Sequence, residues 1–205
     1  MSTQFLVENF EGPALDSRLQ WFCPPSRWQI EHSCLVIQPD AKTDFWQRTH
    51  YGFQNDNGHF LCAVMESDFV LSTHVRFYPL HQYDQAGLMV RFSPDCWLKT
   101  SVEYELSGPS KLGAVVTNFG YSDWSTQDIE IQPGWYHFRI LRQGSDYQVD
   151  IHTPERAQNW TQIRIAHLHA DPNRPVQCGI YACCPIDQGY TAQFDDLQIN
   201  TERIG

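Results

Sequence analysis

Residues able to do chemistry concentrate in one stretch, YDQAGLMVRFSPDCWLKTSVEYEL, residues 83–106. Gln85, Met89 and Arg91 alternate with Ala86, Leu88 and Val90, and after the turn at 93–95 Trp97, Lys99, Ser101, Glu103 and Glu105 alternate with Leu98, Val102, Tyr104 and Leu106. Such period-2 patterning turns one face of each strand toward a core and leaves the other free. The free face carries an indole, a guanidinium, an ammonium and two carboxylates, which together suit a polar ligand such as a sugar. In this reading Trp97 covers the apolar C–H face of a pyranose, Lys99 and Arg91 donate to hydroxyl or acidic oxygens, and Glu103 accepts. The plain alternative is a solvated face with cross-strand Lys99–Glu103 or Arg91–Glu105 ion pairs.

Glu103 and Glu105 stand two apart on one strand, which places their Cα atoms about 6 to 7 Å apart on the same side. Paired carboxylates are the machinery of glycoside hydrolysis, so Glu103, Glu105 and Asp123 are the candidate catalytic groups. Catalysis needs one of the pair raised in pKa by burial, and the spacing alone does not choose a mechanism. Asp44-Phe45-Trp46 and Ser122-Asp123-Trp124 each set a carboxylate before an aromatic residue. Asp44, Trp46, Asp123 and Trp124, with Tyr83 and Asp84, are therefore candidates for the rim of the site. Equally, Asp44 and Asp123 suit capping of nearby backbone N–H groups while the aromatics pack inward.

Metal chemistry draws less support. His167 and His169 share one side of a strand, with His152 or His137 as further nitrogens, but no Cys or carboxylate pattern accompanies them. No catalytic metal and no cofactor are expected. A structural calcium is conceivable where Asp195-Asp196 meets Glu8 or Glu11 near the termini. Walker A, dinucleotide-binding and G-x-S-x-G sequences are absent, and Cys183-Cys184 would point to opposite faces of a strand rather than form a redox pair.

The elements that position these residues read as strands throughout: 34–38, 60–65, 69–77, 112–118, 127–132, 135–141, 147–152, 162–168, 176–182 and 192–200, separated by turn sequences such as Asn57-Gly58, Pro133-Gly134 and Gly144-Ser145. Helical periodicity is missing. Pairing of 69–77 with 83–92 through the short connection between them would bring His74 and Arg76 onto the same surface as Gln85 and Trp97. Many short strands argue for an all-β sandwich or barrel, and nothing divides residues 1–205 into more than one domain.

Composition narrows the partners. The 205 residues carry a formal charge of -10, which repels a polyanionic backbone, so nucleic acid is not an expected partner. No apolar run reaches the about 18 residues of a membrane span, and the opening MSTQFLVENF lacks the features of a secretion signal. Seven scattered cysteines suit reduced thiols. A cytoplasmic location is expected.

Taken together, TDFWQRTHYGF (43–53), YDQAGLMVR (83–91), WLKTSVEYE (97–105), VVTNFGYSDWS (115–125) and the closing GIYACCP and AQFDDLQI segments resemble the domain-of-unknown-function family typified by regulation-of-enolase protein, within the concanavalin A-like lectin/glucanase superfamily. The resemblance implies a jelly-roll β-sandwich of two curved antiparallel sheets, ligands on the concave sheet, and a sugar-binding or regulatory role in carbohydrate metabolism. The superfamily's E-x-D-x-E glucanase strand is not completed by Glu66-Ser67-Asp68 or Glu103-Tyr104-Glu105. The expected function is thus a carbohydrate- or sugar-metabolite-binding module, with a glycoside-active enzyme and a protein-interaction module as alternatives.

Overall fold

In the computed structural model, which describes residues 3–154 and 159–201, period-2 patterning carries through almost the whole chain and no α-helix forms among the described residues. The strands are β1 (Thr3–Glu8), β2 (Gln20–Phe22), β3 (Arg27–Glu31), β4 (Cys34–Gln38), β5 (Phe45–Gln47), β6 (Gln54–Asp56), β7 (His59–Met65), β8 (Phe69–Tyr78) and β9 (Gln85–Ser93). They continue as β10 (Cys96–Glu103), β11 (Ser110–Asn118), β12 (Tyr121–Ile129), β13 (Tyr136–Gln143), β14 (Asp146–His152), β15 (Thr161–His167), β16 (Val176–Cys183) and β17 (Thr191–Thr201). An eight-stranded sheet runs β15-β14-β13-β8-β17-β4-β3, with β1 also on β17, and a seven-stranded sheet runs β12-β11-β10-β9-β16-β7-β2. All pairs are antiparallel within these sheets.

The inner faces meet in one apolar layer. Leu71 and Val75 of β8, Leu88 and Val90 of β9, Leu98 of β10, Ile180 of β16 and Phe194 of β17 are all completely buried there. This layer corrects the expected pairing of 69–77 with 83–92. β8 pairs with β13 and β17, and β9 pairs with β10 and β16, so the connection between β8 and β9 crosses from one sheet to the other. Both strands carry an apolar face, and stacking those faces across the sandwich buries more than edge-to-edge pairing would. His74 and Arg76 consequently sit on the outer side of the opposite sheet.

A second correction concerns 127–132. The strand there starts earlier, at Tyr121, and ends at Ile129. Phe119 and Gly120 have φ of 53° and 74°, the paired left-handed residues of a two-residue hairpin turn, and they fold Tyr121 back onto Asn118. This hairpin sets Trp124 opposite Val115.

The outer face of the seven-stranded sheet is also covered. The small β5–β6 hairpin lies over it, and Phe45, Trp46, Phe60, Cys62, Met89, Trp97, Val115, Tyr181 and Cys183 form a separate buried cluster. Gly58, just after β6, makes this cover possible: a Cβ there would overlap the Phe45 ring and lie 2.5 Å from Cys183 Sγ. Gly58→Ala is therefore expected to lift the hairpin and cost about 1–3 kcal/mol in urea unfolding, the range for overpacking a filled site. A variant as stable as the parent would show that the hairpin is not seated as described.

Candidate functional site

Between the hairpin and the outer face of the seven-stranded sheet lies a pocket of about 380 Å³. Its floor is built by strand parity: Gln85 on β9, Lys99 and Glu103 on β10, Val115 on β11 and Trp124 on β12 all point the same way. One wall comes from the hairpin region, with Asp44, Trp46, Asn55 and the two exposed rings of Tyr51 and Phe53. Tyr83, Pro185 and Ile186 form another wall.

The polar floor is tightly wired. Lys99 Nζ lies 3.1 Å from Asp44 Oδ1, with the lysine 3% exposed. Burial is the largest influence on Lys99 and lowers its pKa, but Asp44, Cys183 and Glu103 together outweigh it, and the pKa is raised. Asp44 is fixed in turn: its Oδ1 accepts the Phe45 N–H at 2.7 Å, its own N–H donates to Asn57 Oδ1 at 3.0 Å, and its carbonyl accepts the N–H groups of Asn57 and Gly58. The backbone-binding role expected for Asp44 and its place in the site thus coexist.

Glu103 behaves differently. Burial, reinforced by the carboxylates of Asp44 and Glu105, pushes its pKa up to about 8 against the opposing pull of Lys99 and of the Gln85 amide. Gln85 Nε2 donates to Glu103 Oε2 at 2.9 Å while its Oε1 accepts the Tyr181 hydroxyl at 3.1 Å, so the amide is held in one orientation. With its pKa at about 8, Glu103 is a neutral acid at neutral pH, able to donate a hydrogen bond beside the Lys99–Asp44 pair. Glu105 lines the same pocket and accepts from Gln82 Nε2 at 2.8 Å.

Of the candidates, the structure gathers Asp44, Trp46, Tyr83, Gln85, Lys99, Glu103, Glu105 and Trp124 around one cavity and takes four others away from it. Trp97 faces the expected side but is 0% exposed, its ring beside Phe45 and its indole N–H donating to the Pro94 carbonyl at 3.0 Å, so it offers no stacking surface. Arg91 is committed to Asp56 at 2.6 Å and stacks on Phe22. Asp84 is fully buried and accepts the N–H groups of Leu80 and His81. Asp123 stands opposite Val116 on the inward-facing parity, away from Trp124, and pairs with Arg164 at 2.9 Å. Asx-type bonding and surface pairing account for these acids.

Tyr51, Phe53, Asn55, Pro185 and Ile186 were not anticipated. The signal for the first two was present: two aromatics flanking Gly52 between very short strands, 55% and 42% exposed in the structure. A second pocket, of about 410 Å³, opens at the edge of the sandwich beside Leu112, Ile129, Ile151 and Ile163, and its Asp128 pairs with Lys111 at 2.5 Å.

The histidines fall elsewhere. His74 stacks on His137, with His152 tilted beside it in a row across β8, β13 and β14, while His167 pairs with Asp146 and His169 lies against Phe119. Near the termini, Glu8 spends both carboxylate oxygens on the N–H groups of Phe10 and Asp16, and Asp195 and Asp196 flank His74. Burial, then the neighbouring His74 and His152, lower the His137 pKa to about 4. The unfolded chain takes up this proton near 6.5, so stability is lost as pH falls from about 6.5 toward 4. His137→Gln is expected to flatten this acid-side loss in pH-dependent thermal unfolding. An unchanged acid limb would assign the loss to other groups.

Comparison with known proteins adds a lineage to this geometry. Residues 21–202 match the family model described as Protein of unknown function (DUF1349). The chain belongs to the DUF1349 family. Regulation of enolase protein 1 of Saccharomyces cerevisiae is 31% identical over 179 residues, 87% of each chain. A solved structure of a functionally unknown protein from Saccharomyces cerevisiae superposes with TM-score 0.82 at 30% identity, covering 92% of this chain and 98% of that one. More distant likenesses include the GH43 protein BlXynB of Bacillus licheniformis, with TM-score 0.73 at 15% identity, where 96% of this DUF1349 chain matches 39% of that protein. A beta-1,3-glucanase from Mycobacterium marinum matches with TM-score 0.56 at 14% identity over 96% of this chain and 98% of that one. At such identities the likeness concerns the fold, which is the concanavalin A-like jelly-roll sandwich.

Proposed function

We propose that this DUF1349 chain binds a carbohydrate or a neutral sugar-like metabolite in the pocket under the β5–β6 hairpin. The observation that carries the reading is the floor itself: a Lys99–Asp44 pair, a protonated Glu103 and an oriented Gln85, set between the rings of Trp46, Tyr51, Phe53 and Trp124. Opposed charges cancel there, so the floor offers hydrogen bonds to hydroxyls without demanding a charged ligand, and flat rings suit the C–H faces of a sugar. The name of the yeast relative supports a regulatory role in carbohydrate metabolism, and seven unpaired cysteines support a reducing, cytoplasmic setting.

Calorimetry with a panel of mono- and oligosaccharides at pH 6.5 tests the site. Trp124→Ala is expected to weaken the best binder about 10-fold, or about 1.4 kcal/mol, whereas Asp123→Ala, one residue away on the other face, leaves it unchanged. Equal effects of the two substitutions would remove the pocket from the reading.

A glycoside-active reading is favoured by one specific observation, the Glu103 pKa of about 8 with Glu105 beside it. In that case Glu103 protonates the leaving oxygen and Glu105 acts from the same side of the pocket. Turnover on an aryl-glycoside panel that disappears in Glu103→Gln would establish it, and binding without turnover would reject it.

A further inference from the structure

Three ligand-type side chains that the sugar pocket does not use converge just behind its wall. A ring nitrogen of His81, a carboxylate oxygen of Asp84 and Sγ of Cys184 all lie within 4.8 Å of one another. The geometry points to a site for a divalent transition cation of the zinc type, held by His81, Asp84 and Cys184, that fastens together the two loops walling the pocket.

The distances suit a cation with little movement. Cys184 Sγ is 3.0 Å from Asp84 Oδ1, and His81 Nδ1 is 3.9 Å from Asp84 Oδ2. Tetrahedral zinc, with bonds of about 2.0–2.3 Å, sets its ligands roughly 3.3–3.8 Å apart. His81 Nδ1 is shielded from solvent, has no hydrogen-bond partner and lies 3.9 Å from the Asp84 carboxylate. Asp84 Oδ2 accepts the N–H groups of Leu80 and His81, both at 2.8 Å, which orients the carboxylate between the Cys184 thiol on the Oδ1 side and the His81 ring on the Oδ2 side.

Backbone hydrogen bonds hold the frame of the site. Cys184 N–H donates to Thr43 Oγ1 at 3.0 Å, its carbonyl accepts the Thr43 N–H, and the Asp84 carbonyl accepts the Tyr104 N–H at 3.0 Å. Asp84 and Cys184 are buried while the His81 side chain is about one-third exposed, giving an entry path on the histidine side. The Asp187 carbonyl, in contact with Cys184 Sγ, adds an oxygen on the cysteine side of the cluster. Thiolate, imidazole and carboxylate together select zinc-like ions over magnesium or calcium, which take oxygen alone. Binding releases the Cys184 thiol proton to solvent as the S–H···Oδ1 bond is replaced by two bonds to the cation. Because Tyr83, Pro185 and Ile186 line the sugar pocket, one ion here would hold both halves of that wall.

Cobalt(II) added to the full-length, chelator-stripped protein reads the site directly. The expected result is saturation at one equivalent, with strong visible bands of four-coordinate cobalt, a thiolate-to-cobalt charge-transfer band in the near ultraviolet, and loss of both on adding zinc. Cys184→Ser is expected to abolish the charge-transfer band, and His81→Ala, at a side chain about one-third exposed and outside the core, to weaken cobalt at least 10-fold and to remove any rise in Tm caused by zinc. His137→Gln, in the histidine row on the other sheet, leaves the spectrum unchanged. Absence of the charge-transfer band in the parent, or its persistence in Cys184→Ser, overturns the proposal and leaves the three groups as a hydrogen-bonded cluster.

Discussion

Lys99→Met is expected to destabilise the protein by about 3–5 kcal/mol, because it leaves the Asp44 carboxylate buried without its counter-charge. For a chain of this size that corresponds to a Tm lower by roughly 6–20 °C. The pair is only 3% and 8% exposed at its two residues, so solvent does not screen the loss. Adding Asp44→Asn to Lys99→Met removes the stranded charge and is expected to recover a large part of the stability, giving a coupling well above that of a surface pair. Urea unfolding of the four proteins in this cycle at pH 6.5 supplies the numbers. A Lys99→Met variant within 1 kcal/mol of the parent, or a double variant weaker than the single, would contradict the geometry of the floor.

The second large effect belongs to Glu103 and is a matter of pH. Its pKa is about 8 in the folded protein against 4.5 for an ordinary glutamate, so the folded state holds a proton that the unfolded chain gives up. The stability that goes with this raised value is fully present below about 4.5 and is lost as pH climbs to about 8. Glu103→Gln keeps the shape of the neutral acid and its acceptance of the Gln85 amide, and it cannot ionise. The variant is expected to match the parent near pH 4.5 and to exceed it at pH 8 by on the order of 2–4 kcal/mol. His137 and His152 titrate alike in parent and variant, so the difference between the two profiles, rather than the slope of either, isolates Glu103. Parallel profiles for parent and variant across that interval would mean that Glu103 is ionised at neutral pH.

These two residues also show what the sequence alone discloses. The alternation in β9 and β10 correctly set Gln85, Lys99 and Glu103 on one face and Leu88, Val90 and Leu98 on the other, since parity is a local property of the backbone. The same alternation put Trp97 on the free face and misjudged its exposure. Its cover is the β5–β6 hairpin, two strands of three residues each, too short to announce themselves by periodicity. Sheet membership was equally out of reach, because the apolar stripes of β8 and β9 are compatible with edge pairing and with face stacking alike, and only the whole core decides between them. Asp123 and Trp124 are neighbours on one strand and so face apart, and the register set by the Phe119-Gly120 turn decides that Trp124 is the one on the pocket side. The cluster of His81, Asp84 and Cys184 joins residues about a hundred positions apart, a proximity that spacing cannot encode.

The most direct test of a sugar seated under the hairpin is a ¹H–¹⁵N spectrum of the tryptophan indole N–H groups during titration with the saccharide that binds best. Shifts at Trp46 and Trp124, with Trp28, Trp135 and Trp160 unmoved, are the predicted result. Saturation with saccharide that leaves Trp46 and Trp124 in place, or that moves only indoles on the opposite sheet, would contradict it.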